Sequence, residues 1–375
     1  MKKVTLIVLN NFKNDSRVLK EAISLQNIGY QIKVVALHED TLGEFDTVSN
    51  ISVHRIRLKS KEWSKKRFIQ LVKYFEFIYK VVKEYKHSDI LHCNDLNALP
   101  IGVIVKKFFN KSAKIVYDAH EYEINDRPNE SKYSIKIKYF FEKWLIKYAD
   151  RVITVSDAIA KEYVKLYDIE KPALVLNAPP YVSIKKKNIF RETFNISEDK
   201  TIFLYQGGLS NGRGIEILLE TFKQMKNSKS VIVFMGYGVL ENIVVESSQE
   251  YENIYYHKAV SPTILLNYTS SADFGILFYE NNCLNHYLCS PNKMFEYLMA
   301  EIPVVVSNLY EMRRLVENSS IGIVAKENSP KGLNIAIKEA TQLDRQKLHN
   351  NIQKVKTIYN WEEQEKILLK VYEGL

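Results

Sequence analysis

Residues 287–307, YLCSPNKMFEYLMAEIPVVVS, contain the pattern that decides the fold class. The segment 292–300 has the apolar spacing of an amphipathic helix, and the short apolar run 304–307 that follows is typical of a buried parallel strand. The same alternation of helix and strand extends along the chain in both directions. It predicts an α/β protein with parallel strands and crossover helices.

A break at residues 177–180, NAPP, divides this alternation into two similar halves. Two adjacent prolines continue neither a helix nor a central strand, and a polar, basic stretch follows at 183–188. We therefore predict two doubly wound α/β domains, residues 1–180 and 181–360. Sheets of this kind bind ligands at the carboxyl ends of their strands, so we expect the site in a cleft between the two domains.

The composition excludes several classes of protein. Among 375 residues there are 53 Lys and Arg and 44 Asp and Glu, which gives a net charge of +9 and permits anionic partners without selecting one. A hydrophobic content of 46% excludes a disordered chain. Three cysteines are too few for a disulfide framework, which favours a reducing cytosol. No apolar run approaches the length of a transmembrane helix.

A glycine-rich loop, YQGGLSNGRG at 205–214, joins a predicted strand to a predicted helix. Gly207 and Gly208 let the backbone approach a ligand closely, and Arg213 supplies a guanidinium that binds phosphate through two hydrogen bonds. A structural turn with a solvated arginine explains these residues equally well. A second strand end, MGYG at 235–238, offers Gly236 and Tyr237 as weaker candidates, with a structural turn as the simpler explanation.

Lys293 and Glu296 carry the strongest chemical signal in the sequence. They are three residues apart and therefore share one face of the predicted helix. A cation near a helix N-terminus is unfavourable unless an anion lies beside it. A carboxylate one turn deeper can accept hydrogen bonds from two vicinal hydroxyls. The pair therefore favours a nucleoside diphosphate, with Lys293 on phosphate and Glu296 on ribose, over the alternative of a surface ion pair.

Five segments resemble the retaining GT-B glycosyltransferases of glycosyltransferase family 4, also called glycosyl transferases group 1. They are DSRVLKEA (15–22), YDAHE (117–121), ADRVITVS (149–156), GGLSNGRG (207–214) and SPNKMFEY (290–297). The resemblance implies two Rossmann-like domains and metal-independent sugar transfer from a UDP or GDP sugar to a hydroxyl, with retention at the anomeric carbon. It also implies that the N-terminal domain binds the acceptor, and that residues 361–375 cross back to that domain.

The resemblance also implies roles for particular residues. The catalytic candidates are His120, Glu121, Arg213 and Lys293. The donor-binding candidates are Gly207, Gly208, Gly236, Tyr237, Val260, Ser290, Asn292 and Glu296. Glu296 matches the second of two glutamates common in the family, but the first position is Leu288, so Ser290, Asn292 or backbone amides near Tyr287 are candidates to replace that contact. No cofactor and no metal are expected, since the chain contains no Asp-x-Asp sequence.

Four residues of the first half are weaker candidates for the acceptor site or cleft: Asn11, Arg17, His92 and Asp95. Each belongs to a polar segment that follows or ends a predicted strand. Helix capping is the alternative role of the asparagine-rich loop at 10–17, and local structural roles account equally well for His92 and Asp95.

Two basic segments, 66–86 and 132–147, interleave lysines with aromatic residues. This mixture suits an interfacial helix at an anionic membrane surface. The alternative is a solvated helix face whose aromatic residues lie in the core. The basic residues are otherwise dispersed and no nucleic-acid motif is present, so no nucleic-acid partner is expected.

Together these features predict a cytoplasmic glycosyltransferase, peripheral at the inner face of the membrane. It would act on a glycan or lipid-linked acceptor in bacterial surface polysaccharide synthesis. A nucleotide-sugar 2-epimerase of the same fold is the alternative enzyme. A non-catalytic nucleotide-binding or nucleic-acid-binding protein is the alternative from another class.

Overall fold

The computed structural model describes residues 1–225 and 228–375, which fold into two compact units. The first unit consists of Met1–Asn125, Glu130–Val175 and Glu365–Leu375. The second consists of Asp126–Asn129 and Leu176–Gln364. The predicted boundaries at 180 and 360 lie within five residues of these junctions, but the sequence did not indicate that residues 126–129 belong to the second unit.

The first unit is built on an eight-stranded sheet with the order β3-β4-β2-β1-β5-β6-β7-β8. Every neighbouring pair is parallel except β3 and β4. The strands are β1 (Lys3–Ile7), β2 (Gln31–Leu37), β3 (Phe45–Val48), β4 (Ile51–Ile56), β5 (Ile90–Asn94), β6 (Lys114–Ala119), β7 (Arg151–Thr154) and β8 (Ala173–Leu174). Since β1 is central and fully paired, its apolar residues Val4, Leu6 and Ile7 are buried.

Helices connect these strands. They are α1 (Ser16–Asn27), α2 (Arg67–Tyr85), α3 (Leu99–Phe108), α4 (Lys132–Leu145) and α5 (Asp157–Tyr167), with short 3₁₀ turns at Glu123–Asn125 and Ile146–Tyr148. Side-chain caps fix three helix starts: Asp15 accepts from the amide of Val18, Ser131 from Ser134 and Ser156 from Ile159. The C-terminal helix, Trp361–Tyr372, contributes its residues from Glu365 onward to this unit.

The second unit has a six-stranded, fully parallel sheet with the order β11-β10-β9-β12-β13-β14. Its strands are β9 (Thr201–Gly208), β10 (Ser230–Tyr237), β11 (Ile254–Lys258), β12 (Phe274–Leu277), β13 (Val304–Val306) and β14 (Gly322–Val324). Its helices are α6 (Ile189–Phe194), α7 (Ile215–Gln224), α8 (Glu241–Glu250), α9 (Leu265–Thr269), α10 (Leu284–Leu288), α11 (Asn292–Met299), α12 (Tyr310–Ser319), α13 (Pro330–Thr341) and α14 (Arg345–Lys356).

The predicted fold class, two doubly wound and mainly parallel α/β sheets, is confirmed. The sequence missed β3, α6, α10 and α14. The side chains of β3 are mostly exposed, so its residues lack the alternation of a half-buried strand. Pro291 is the N-cap of α11. Within the described part of the chain, no helix is both long and apolar enough to cross a bilayer.

A buried carboxylate ties three elements of the first unit together. Glu142 of α4 is 0% exposed. It accepts hydrogen bonds from the hydroxyls of Tyr117 on β6 at 2.6 Å and of Tyr163 and Tyr167 on α5 at 2.7 and 2.6 Å. Three donors satisfy a charge that burial alone would disfavour.

Replacing one of these donors tests the energetic weight of the cluster. Tyr163→Phe leaves Glu142 with two donors and should lower the free energy of unfolding by about 1–2 kcal/mol. Urea denaturation measures the change, and Tyr133→Phe, on the exposed side of α4, is the matched control. Equal stability of the two variants would show that the third hydrogen bond contributes nothing.

Candidate functional site

Two glycines at neighbouring strand ends allow an unusually close approach in the second unit. Gly207 on β9 pairs with Gly236 on β10. A Cβ atom at Gly236 would lie 1.9 Å from the Gly207 carbonyl oxygen, and one at Gly207 would lie 2.9 Å from Lys293 Cε. Gly207 also has a φ of +109°, which disfavours other residues. Gly207 therefore leaves room for the Lys293 side chain at the carboxyl edge of the sheet, and Gly236 leaves room for the Gly207 carbonyl.

Lys293 and Arg213 both lie beside the ring of Tyr279, and Lys293 also contacts Tyr205. Lys293 Nζ donates to the Tyr205 hydroxyl at 2.9 Å and lies 4.1 Å from the centre of that ring. The same Nζ lies 5.6 Å from the centre of the Tyr279 ring, and the guanidinium carbon of Arg213 lies 4.5 Å from it. The two cations that the sequence singled out therefore meet at the Tyr279 ring within one unit.

This arrangement is electrostatically unfavourable for the free protein. Burial and the nearby Arg213 charge lower the pKa of Lys293 to about 7, although Glu296 acts in the opposite direction. Burial and Arg213 likewise lower the pKa of His286 to about 4, so this imidazole is neutral at pH 7. A cluster of this kind can lower its electrostatic energy by binding an anion.

Glu296 is held one turn deeper by a chain of polar groups. Its Oε2 accepts a hydrogen bond from Gln206 Nε2 at 2.6 Å. Gln206 is buried, and its Oε1 accepts from Thr269 Oγ1 at 2.8 Å. The carboxylate therefore has a fixed orientation, as a ligand of vicinal hydroxyls requires.

The other predicted donor residues have varied surroundings. Ser290 is buried and its hydroxyl donates to Glu311 Oε1 at 3.3 Å. Asn292 is exposed at the start of α11, and Tyr237 is 67% exposed at the end of β10. Val260 packs against the apolar core. Gly208 is exposed at the end of β9, and its carbonyl accepts from the Tyr205 hydroxyl at 2.6 Å.

Four residues around the cations were missed by the sequence reasoning: Tyr205, Gln206, Tyr279 and His286. Tyr205 and Gln206 open the glycine-rich loop and were read only as its flanks. Tyr279 follows β12 closely, so its position beyond a strand end was a usable signal. His286 lies in α10, a helix of five residues that the sequence did not predict.

His120 lies at the carboxyl end of β6 in the first unit, between two carboxylates. Its Nε2 lies 3.1 Å from Asp118 Oδ2, and its Nδ1 lies 3.5 Å from Asp95 Oδ1. Burial alone would lower the pKa of His120, but Asp95 and Asp118 outweigh it and raise the pKa to about 9. His120 is therefore a charged hydrogen-bond donor at neutral pH, and Glu121 follows it as a half-buried neighbour.

The structure corrects the assignment of Arg17 and His92 as cleft residues. Arg17 is 4% exposed and donates to the Asp118 carboxylate at 2.8 and 3.1 Å and to the Val175 carbonyl at 2.7 Å. His92 is fully buried, with its Nδ1 2.7 Å from the Tyr372 hydroxyl. Both side chains hold the first unit together, because their partners are remote in sequence.

Asn11 and Asp95 have different surroundings. Asn11 donates from its side chain to Glu39, and its carbonyl accepts from Arg55 Nε at 2.8 Å. Asp95 has a left-handed backbone with φ +64° and accepts from the His120 amide at 3.4 Å. Asp95 therefore belongs with His120, whereas Asn11 bonds to residues that follow β2 and lie on β4.

Three buried residues of the first unit have the donor types of a metal site. Ligand atoms of Glu21, His92 and Asp118 lie within 4.8 Å of one another. However, the Arg17 guanidinium lies 3.1 Å from Glu21 Oε1 and is bonded to Asp118, so a positive charge already neutralises this cluster. Burial and Asp118 raise the pKa of Glu21 to about 8, which makes it neutral at pH 7. We assign the cluster to the architecture of the unit.

The Lys293 pKa provides a direct test of the convergence of the two cations. Arg213→Gln removes one positive charge and should raise the Lys293 pKa above 7, because desolvation alone then remains to depress it. Titration of the ¹³Cε resonance of labelled lysine measures the shift. Lys223, which faces Tyr251 at 5.2 Å elsewhere in the unit, is the internal control. An unchanged Lys293 pKa would contradict the interaction.

The His120 pKa tests the site in the first unit. Asp95→Asn removes one of the two carboxylates and should lower the His120 pKa from about 9. Histidine Cε1–H NMR titration measures it. A pKa raised on folding stabilises the protein fully below the ordinary value of about 6.5, and that contribution disappears as the pH rises through 9. Asp95→Asn should therefore reduce the stability that is lost between about pH 6.5 and 9. An unaltered His120 titration would contradict the interaction of Asp95 with His120.

Two family models and several curated proteins match this chain. Residues 17–177 match the family model described as Glycosyltransferase Family 4, and residues 218–361 match the one described as Glucosyltransferase 3-like, C-terminal domain. The chain is 21% identical over 369 residues to a Candida albicans chitobiosyldiphosphodolichol beta-mannosyltransferase, covering 89% of this chain and 79% of that protein.

Solved structures show the same fold. Sucrose-phosphate synthase from Thermosynechococcus elongatus superposes with a TM-score of 0.79 at 16% identity, covering 100% of this chain and 98% of that one. Anabaena HepE in complex with UDP and glucose gives a TM-score of 0.76 at 15% identity, covering 100% of both chains. The resemblance seen in the sequence is supported: residues 17–177 match Glycosyltransferase Family 4, the chain has the GT-B fold, and it is a glycosyltransferase.

Proposed function

We propose that this glycosyltransferase moves a sugar from a UDP or GDP sugar to a hydroxyl of a glycan or lipid-linked acceptor. The transferred sugar retains its configuration at the anomeric carbon. The reaction belongs to the synthesis of bacterial surface polysaccharide. The observation that carries the proposal is the meeting of Arg213 and Lys293 at the Tyr279 ring. A UDP complex of HepE and the diphosphodolichol-linked acceptor named for the Candida relative also support it.

The two cations suit the leaving group of the reaction. As the bond between the sugar and the diphosphate breaks, negative charge accumulates on the diphosphate oxygens. Fixed positive groups lower the energy of that transition state, and they do so more strongly in a partly desolvated site. A bound diphosphate would also restore the ordinary, charged form of Lys293, because its anionic oxygens offset both burial and Arg213.

Glu296 suits the ribose of the same nucleotide. Its carboxylate is oriented by Gln206, and it stands one helical turn beyond Lys293 on α11. Two oxygens of one carboxylate can accept from the two vicinal ribose hydroxyls. We propose that Lys293 and Glu296 bind the phosphate and the ribose of one nucleotide.

The proposed chemical step needs no covalent enzyme intermediate. The acceptor oxygen attacks the anomeric carbon on the face that the diphosphate leaves, and the carbon–oxygen bond breaks with its electron pair going to the diphosphate. The acceptor proton passes to a departing phosphate oxygen, so the products are a glycoside and a nucleoside diphosphate. We propose that His120 donates a hydrogen bond to a sugar hydroxyl, and that Arg213 and Lys293 perform the charge neutralisation that other transferases obtain from a divalent metal.

We further propose that a lipid-linked acceptor brings the enzyme to the surface of an anionic membrane. A growing glycan on a lipid carrier is confined to that surface. An enzyme that binds there meets its acceptor at a higher local concentration than one free in solution.

Ligand-induced stabilisation and turnover test the proposed donor site. UDP or GDP should raise the melting temperature of the protein by mass action, and CMP should do so less. Lys293→Ala and Arg213→Ala should reduce this shift and lower kcat about 10²–10³-fold, because each removes a group that stabilises developing charge. Lys223→Ala, which removes a lysine facing a tyrosine elsewhere in the unit, should leave both unchanged. Near-normal turnover of Lys293→Ala would reject the assignment.

The same assay separates the finer claims. Activity should survive EDTA, and the product should keep the anomeric configuration of the donor when examined by NMR. An inverted product would reject retention and leave the donor site intact. Conversion of the donor sugar without any acceptor would instead identify a nucleotide-sugar epimerase.

A further inference from the structure

The basic and aromatic segments of the first unit form an exposed surface that sugar transfer itself does not use. On α2 the side chains of Phe68, Leu71, Phe75 and Tyr79 are 52–72% exposed and follow one another at helical spacing. They form a stripe along a single side of the helix. The alternative that the aromatic residues of this helix lie in the core therefore fails for these positions.

Helix α4 presents a second stripe of the same kind. Tyr133, Ile137, Phe140 and Trp144 are 52–76% exposed. The helix carries one acidic residue, Glu142, which is fully buried. Lys132 and Lys136 are exposed beside the stripe, so the outer side of α4 combines aromatic groups with positive charge alone.

Contacts at the end of α3 join the two stripes. Both α2 and α4 pack against α3. Lys86, next to the end of α2, lies 5.5 Å from the exposed Phe109 ring, and Lys107 on α3 lies 5.8 Å from the Trp144 ring on α4. We call the exposed sides of α2 and α4, with this junction, the aromatic face. Of the described residues, every exposed phenylalanine and tryptophan except Phe45 lies on α2, α3 or α4 or in the segments adjoining them.

We propose that the aromatic face docks on an anionic lipid bilayer, with its rings in the interfacial region and its lysines on the headgroups. Charge complementarity favours this occupant, because lysine is depleted at interfaces between proteins but is typical of interfacial helices. Aromatic rings prefer the boundary between headgroups and acyl chains, and long lysine side chains extend from an apolar surface to the charge outside it.

The topology of the first unit relates this surface to the candidate acceptor site. Helices α2 and α4 follow β4 and β6, so each begins at the carboxyl edge of the sheet. Phe68 and Tyr133 lie in their first turns, at the edge where His120 follows β6. A headgroup bound there would be near the end of the sheet that carries His120. The docking surface specifies the membrane association of the proposed function and rests on it, whereas its test does not depend on nucleotide binding.

Vesicle flotation tests the docking surface on the full chain. The protein should float with vesicles of phosphatidylcholine mixed with phosphatidylglycerol, should not float with phosphatidylcholine alone, and should dissociate as salt rises. The pair Lys132→Gln and Lys136→Gln should weaken binding about fivefold for each lysine. The pair Phe75→Ser and Phe140→Ser should weaken it about tenfold or more.

Matched controls and a second readout separate membrane docking from the proposed sugar transfer. Phe45→Ser and Lys326→Gln, which alter an exposed ring and an exposed lysine outside the face, should float like the unaltered protein. Transfer to a water-soluble acceptor should be normal in every variant. Three outcomes would each overturn the proposal: no flotation, flotation that the aromatic-face variants leave unchanged, or self-association that the pair Phe75→Ser and Phe140→Ser abolishes. None of these outcomes depends on nucleotide binding.

Discussion

The partial burial of two positive charges beside one tyrosine ring is the constraint on which the second unit depends. Lys293 reaches this position because Gly207 has no side chain to exclude it, and the paired Gly236 has no side chain to clash with the Gly207 carbonyl. As a result the pKa of Lys293 is about 7, so that without a bound anion its amine is only partly protonated at neutral pH. The glycine-rich loop and the start of α11 thus form one electrostatic unit.

The first unit contains a buried arginine whose charge, unlike that of Lys293, is paired with carboxylates of the protein. Arg17 has the Asp118 carboxylate as a bidentate partner and Glu21 beside it, so its charge is balanced within the fold. Lys293 instead donates to the neutral hydroxyl of Tyr205, and the nearby Glu296 accepts from Gln206. A balanced cation is structural, whereas a partly buried lysine that donates to a neutral hydroxyl beside a second cation favours an external anion. Side-chain partners distinguish the two cases, since residue type alone does not.

The sequence predicted what local spacing determines. The alternation of apolar runs indicated the two sheets, and the three-residue separation of Lys293 and Glu296 put both on one side of α11. Contacts between residues remote in sequence could not be predicted. Nothing near Arg17 indicates its partner Asp118, and nothing near His92 indicates its partner Tyr372. The sequence could not predict that the rings on α2 and α4 are exposed, because an amphipathic stripe has the same spacing whether it faces the core or the solvent.

Proton uptake on nucleotide binding tests the central claim most directly. A diphosphate bound between Arg213 and Lys293 should return Lys293 to its charged form, so that at pH 8 binding is coupled to the uptake of about one proton. Titration calorimetry of UDP and GDP in buffers of different ionisation enthalpy measures this number. The account predicts uptake by the unaltered protein and its loss in Lys293→Gln. Binding with no proton uptake, or equal uptake by both proteins, would contradict it.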